Sequence, residues 1–96
     1  MNHIQAKIAG VFKYPDAKQM MKEMAHGAAY MWQAEPENQF DPNAIALFVG
    51  RQDAPIKCGY IPRVIAATMK ADEIQSIQRG AAFDEILIVK KGTAAT

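Results

Sequence analysis

The fold class this sequence predicts is mainly β (α+β): a small antiparallel barrel of five to six short strands with one or two short helices. Three observations predict it. Apolar runs of strand length recur along the chain, alternating at residues 3–8 and continuous at residues 44–49. Proline and glycine punctuate these runs and confine helical periodicity to short stretches after Pro15 and Pro62. Finally, 96 residues of which 50% are hydrophobic suffice for one compact core and leave no room for a second domain. Closing so few strands on themselves hides the edges that an open sheet would leave bare.

The elements follow in order. His-Ile-Gln-Ala-Lys-Ile at residues 3–8 alternates strictly, placing Ile4, Ala6 and Ile8 on one side of a strand that is expected to continue toward Phe12. Pro15 and Asp16 break it. Residues 17–24 then read as a helix with Met20, Met21 and Met24 at helical spacing, a cluster suited to core filling. Gly27 ends that helix, and residues 28–34 are aromatic and apolar enough for a second strand. Residues 44–49 are expected to be the most buried strand, joined through residues 50–55 to residues 56–61 as a hairpin. Pro62 suits a first helical turn, and Val64, Ile65, Thr68 and Met69 fall along one stripe of a short amphipathic helix. Asp72 is expected to cap a further turn carrying Ile74 and Ile77, closed by Arg79-Gly80. Residues 83–89 form the last strand, and residues 93–96 a frayed tail. The core of the single domain, residues 1–96, thus spans about 4–90.

Composition narrows the function classes. The single cysteine, Cys58, permits no internal disulfide, and with six methionines it suits a reducing cytoplasm. The N-terminal residues lack the basic start and apolar run of a signal peptide. The longest apolar stretch, residues 44–49, is far short of the roughly 20 residues needed to cross a bilayer. A soluble cytoplasmic protein is expected. Eleven basic residues against ten acidic leave no basic excess for coating a duplex backbone. If nucleic acid is the ligand, contact is expected to be local, through a few cations and exposed aromatics.

The most unusual segment is Glu35-Pro36-Glu37-Asn38-Gln39-Phe40-Asp41-Pro42-Asn43, whose prolines, asparagines and carboxylates cannot continue a ladder and form a loop. With the Ala44-Ile45 that follows, then Gly59-Tyr60-Ile61-Pro62-Arg63 and Ala66, it resembles the HIRAN domain family. Ile8-Ala9-Gly10-Val11 with Tyr14 is similar to that family's opening strand. The likeness runs from about residue 4 to residue 90, and its Asp-x-Asn-Ala-Ile core keeps the family's spacing to the Gly-Tyr-Ile-Pro element. The resemblance implies an OB-like barrel, and a stand-alone member of the bacterial or phage type. It also implies binding of single-stranded DNA at the 3′ end, in DNA repair or replication-fork processing, in company with a helicase or nuclease partner. By the same resemblance, Phe40 falls at the aromatic that stacks on a terminal base and Asp41 at the carboxylate that accepts from the 3′ hydroxyl. Tyr60 and Arg63 fall in the element that meets the backbone phosphate. Where the member of that family that grips DNA 3′ ends has an Arg-Tyr pair after its first strand, this chain has Phe12-Lys13 followed by Tyr14. A one-residue register shift or a swap of aromatic and cation would each preserve that chemistry.

The residues themselves support more than one reading. A terminal base stacked on Phe40 gains roughly 1–3 kcal/mol. A carboxylate such as Asp41 repels phosphates, so in a DNA pocket it is useful when aimed at a hydroxyl, with Lys13 or Arg63 balancing the neighbouring phosphate. Alternatively, Asp41 and Asn43 form side-chain turns ahead of the strand and Phe40 plugs the core. Glu35, Glu37 and Asp41 raise the remote alternative of a Mg²⁺ site for a nuclease-type reaction, although carboxylates on a proline-broken loop lack the rigid strands such sites use. His3, His26 and Cys58 lack zinc-ligand spacing, and no phosphate loop or nucleophile motif occurs. The sequence is therefore expected to be no enzyme and to need no metal or cofactor. Its strongest rival to a DNA-binding role is that of a protein-protein interaction adaptor, which small barrels serve equally well.

Overall fold

The computed structural model describes residues 3–92, and the expected tail at residues 93–96 lies outside them. It is mainly β, with two three-stranded antiparallel sheets ordered β1-β6-β5 and β2-β3-β4. The strands are β1 (His3–Lys7), β2 (Met31–Ala34), β3 (Ile45–Arg51), β4 (Ala54–Tyr60), β5 (Ile74–Arg79) and β6 (Glu85–Lys90). The helices are α1 (Pro15–Glu23) and α2 (Arg63–Ala66), and 3-10 turns lie at Val11–Lys13 and Ala71–Glu73. No described helix is long and apolar enough to cross a membrane.

Where the sequence predicts a barrel, the described residues form two separate sheets joined by two single bridges, not by continuous ladders. Ala9, just past β1, bridges Tyr60 of β4, and Ala29, just before β2, bridges Gln78 of β5. Residues 28–34 are therefore extended as expected, but they divide between the sheets. Arg79 N–H donates to the Ala28 carbonyl and Tyr30 N–H to the Ile77 carbonyl, both at 2.8 Å, while residues 31–34 pair with β3. The core lies between the sheets. Ile45, Leu47, Cys58, Ile74, Ile77, Ile86 and Ile88 are all fully buried, and Met21 of α1 completes the packing. As expected, β3 is the most buried strand, and Ile4, Ala6 and Ile8 are less exposed than Gln5 and Lys7 between them.

Five expectations require correction. The first strand does not continue to Phe12, because Gly10 takes the left-handed region (φ 76°) and turns the chain into the 3-10 turn. The six-residue link of the hairpin shrinks to Gln52 and Asp53, since Arg51 already pairs with Ala54. Val64 is 77% exposed and Thr68 is also exposed, because α2 is only four residues long and the apolar stripe reaches the core through Ala66 and Met69. Ile74 and Ile77 belong to a strand, not a helical turn. A bulge between Ile74 and Ser76 lets two residues three apart both face inward. The preceding 3-10 turn is capped at Lys70, whose N–H donates to the Glu73 carboxylate at 2.7 Å, rather than at Asp72.

Candidate functional site

The segment of residues 35–44 leaves β2 and returns to β3 through a set of local hydrogen bonds that its own residue types supply. Glu35 N–H donates to the Ala44 carbonyl (2.9 Å) and closes the base, and turns are closed by Asn38 N–H to Glu35 and Ala44 N–H to Asp41, both at 3.0 Å. Between them, Asn38 Oδ1 accepts from the backbone N–H of Phe40 (2.9 Å) and of Asp41 (3.1 Å), and Asp41 Oδ1 accepts from Asn43 N–H (3.0 Å). Asparagine and aspartate satisfy neighbouring backbone donors in this way, which is why the segment is ordered without any ladder. The side-chain-turn reading therefore holds for Asp41. The core-plug reading of Phe40 does not: its ring is 86% exposed.

Arg63, the first residue of α2, meets this loop from the far side of the β4–α2 corner. Its Nη2 donates to the Phe40 carbonyl at 3.2 Å, and its Nε stands 3.7 Å from Asp41 Oδ2. The guanidinium keeps most of its surface in solvent while the Asp41 carboxylate is largely covered. Phe40, Asp41 and Arg63 are thus brought together, with the ring and the cation projecting and the carboxylate turned in.

Tyr60 joins the base of the same loop. Its hydroxyl donates to Glu35 Oε1 at 2.8 Å and accepts from Lys57 Nζ at 3.1 Å, while Lys57 also donates to Glu35 Oε2 at 2.5 Å. Asn38 Nδ2 donates to Glu35 Oε1 at 3.1 Å. Burial pushes the Glu35 carboxyl up, but the hydrogen bonds from Lys57, Tyr60 and Asn38 outweigh it and hold the group below its ordinary value. The hydrogen bond to Glu35 holds the Lys57 ammonium above its usual range, and burial first of all raises the Tyr60 hydroxyl. With Glu35 so engaged and Asp41 facing Arg63, the carboxylates considered as a Mg²⁺ site are not assembled. Among the described residues no three or more His, Cys, Asp or Glu side chains gather to hold a metal.

Phe12 and Lys13 lie on the turn that follows the seam joining Ala9 to Tyr60 of β4. Ala9 and Tyr60 exchange backbone hydrogen bonds of 2.8 and 2.9 Å, and the 3-10 turn that follows carries Phe12, 80% exposed, with Lys13 Nζ 5.8 Å from its ring centroid. Gly59 makes the seam approach feasible: a Cβ there would lie 2.5 Å from Ile8 Cγ2 and 2.7 Å from the Ala9 carbonyl oxygen. Tyr14 is different. It is half-buried against the core at the start of α1. Lys57 and Asn38 were not singled out by sequence reasoning. Asn38 carried a usable signal, an amide two residues before an aromatic-Asp pair, whereas Lys57 carried none until the β3–β4 register placed it. Two grooves, about 530 Å³ along residues 33–38 and about 500 Å³ beside Lys7, His26 and Arg79, include neither Phe40 nor Arg63. The exposed parts of the candidate surface are the Phe40 ring and the Arg63 guanidinium, both projecting into solvent.

Compared with known proteins, the chain matches no family model and no curated protein at the level of sequence. In structure it is similar to the crystal structure of the HIRAN domain of human HLTF, with a TM-score of 0.65 and 13% sequence identity over 93% of this chain and 74% of that one. At that identity the likeness is one of fold.

Proposed function

Taking a HIRAN-type fold as the premise, we propose that this chain is a nucleic-acid-binding module, not an enzyme. It recognises single-stranded DNA at its 3′ end through the surface centred on Phe40, in DNA repair or fork processing alongside a helicase or nuclease. The observation that carries the reading is the Phe40 ring itself. A large apolar ring stands almost wholly in water on a loop whose backbone is tied by Asn38 and Arg63, so it is held out rather than left over. A base stacked on such a ring gains roughly 1–3 kcal/mol whatever its identity. The exposed Arg63 guanidinium beside it supplies a phosphate contact, with Phe12 and Lys13 across the seam as a second aromatic and cation. Asp41, with one oxygen taken by Asn43 N–H and the other near Arg63, keeps lone pairs for a terminal hydroxyl. Near-balanced charge means few phosphates are engaged.

A protein-binding adaptor role has one observation in its favour. Val64 and Ile56 are exposed as well as the two phenylalanines, and together they offer apolar surface on a chain of formal charge +1. Fluorescence titration decides between the readings, using oligonucleotides that are single-stranded with a free 3′ hydroxyl, single-stranded with a 3′ phosphate, and duplex. Tightest binding to the free end supports end recognition, and Asp41→Asn then erodes the preference. Equal binding to both single strands reduces the role to general strand binding, and no binding to any of the three hands the case to the adaptor.

A further inference from the structure

We infer that Glu35 is the positioning residue of the Phe40 surface, and that Tyr60 and Lys57 act through it rather than on the ligand. The consequence for affinity rests on the DNA-binding reading above; the positioning itself does not. Glu35 is the node where three side chains from two parts of the fold converge. Lys57 and Tyr60 reach it from β4, and Asn38 from within the loop. From there the order passes outward, because the Asn38 amide that donates to Glu35 through Nδ2 accepts through Oδ1 from the backbone of Phe40 and Asp41. Both ends of the Asn38 amide are engaged at once, Nδ2 by Glu35 and Oδ1 by the loop backbone. The chain of contacts Lys57 and Tyr60 to Glu35 to Asn38 to Phe40 thus fixes the ring-bearing backbone to the sheet. Arg63 independently holds the Phe40 carbonyl.

The same geometry fixes what Tyr60 does. Its hydroxyl proton is spent on Glu35 and one of its lone pairs on Lys57, so it has no proton left to give a phosphate. Lys57 divides its donors between the two partners, and its ammonium is mostly covered. Arg63, by contrast, presents most of its side chain to solvent.

Amide hydrogen exchange of the free protein tests the positioning, and oligonucleotide titration tests its consequence. Glu35→Gln keeps the side-chain shape but places an uncharged amide against the Lys57 ammonium. It is expected to speed exchange at the Phe40 and Asp41 amides by about tenfold while leaving those of β3 unchanged. Tyr60→Phe, which removes only the hydroxyl, is expected to raise exchange at the same two amides. Both variants should weaken binding of the free-ended single strand several-fold, and Glu35→Gln should add nothing in a Phe40→Ala background. Unchanged exchange at Phe40 and Asp41 in Glu35→Gln overturns the inference, as does a rise spread evenly through β3. If Tyr60→Phe weakens binding without moving exchange, Tyr60 is a ligand contact and the inference falls for that residue. If the loop loosens as expected but wild-type protein binds no oligonucleotide, the positioning stands and the DNA-binding reading fails.

Discussion

Two phenylalanines are exposed, Phe40 on the loop that Arg63 meets and Phe12 on the turn that follows Ala9, and the molecule holds them by different means. Phe40 projects from a loop fixed by side chains: Asn38 on its N–H, Arg63 on its carbonyl, and Glu35 behind Asn38. Phe12 projects from a 3-10 turn held by two backbone bonds, Lys13 N–H to Gly10 and Tyr14 N–H to Val11, and among the described residues no side-chain hydrogen bond reaches that turn. A ring whose own backbone is tied by side chains at both N–H and carbonyl has little ordering left to lose when it is covered, whereas a ring on a turn without such ties is expected to lose more and net less from the same contact. Under the proposed function, Phe40 is therefore expected to be the anchor and Phe12 the weaker partner.

Breaking the seam is expected to have the largest effect. At Gly59, with φ 152°, an added Cβ meets the Ala9 carbonyl oxygen, a backbone atom that cannot swing aside. Gly59→Ala is expected to cost about 3 kcal/mol or more in stability, read by urea denaturation, and to shift the amide resonances on both sides of the bridge. Gly10→Ala is the control. That glycine also has positive φ, but nothing lies within 4 Å of the added atom, so only backbone strain of about 1–2 kcal/mol is expected.

The anchor and its partner separate in binding. Phe40→Ala is expected to weaken capture of a single-stranded oligonucleotide by about 1–3 kcal/mol, and Phe12→Ala by less than about 1 kcal/mol. Both rings already stand in water, so stability should change by less than about 0.5 kcal/mol in either variant. Equal losses in the titration would erase the distinction between anchor and partner.

Local rules made much of this architecture legible in the sequence. The alternation at residues 3–8, the methionine spacing in α1 and the continuous apolar run of β3 each act over a few residues, and each lies where the pattern places it. What failed depended on register. Three-residue spacing of Ile74 and Ile77 reads as helical unless a bulge intervenes, and a bulge is set by the partner strand. The hairpin turn at Gln52-Asp53 carries no glycine or asparagine signal, so its strands were read too short. At the candidate surface, the Phe40-Asp41 pair and Arg63 were legible because a short motif contains them. Lys57 was not, because it lies 22 residues from Glu35 and the two meet only once β3 and β4 are paired. Glu35 was read as a metal-ligand candidate for the same reason: its partners were invisible.

The smallest expected effect sharpens the contrast through pH. Glu35 faces Lys57 and Tyr60 from β4 and Asn38 from its own loop, and together they hold its carboxyl below the ordinary value of 4.5. Because the unfolded chain takes up this proton more readily than the folded one, Glu35 stabilises the fold fully above that ordinary value. The contribution is lost as pH falls through the lowered one. Lys57 works in the opposite range: held above 10.5, it contributes fully below that value and loses its contribution only in strong base. Acidification should therefore loosen the Phe40 side, whose tether carries a titrating carboxylate, and spare the Phe12 turn, which is held by backbone bonds and by the packing of Val11 and Tyr14 against the core. Nitrogen relaxation of the free protein between about pH 6 and about pH 3 is expected to show lower order at Phe40 and Asp41 with little change at Phe12, and Glu35→Gln should flatten that response. If both turns soften together, acid is acting on the whole domain and the tether is not what sets the two rings apart.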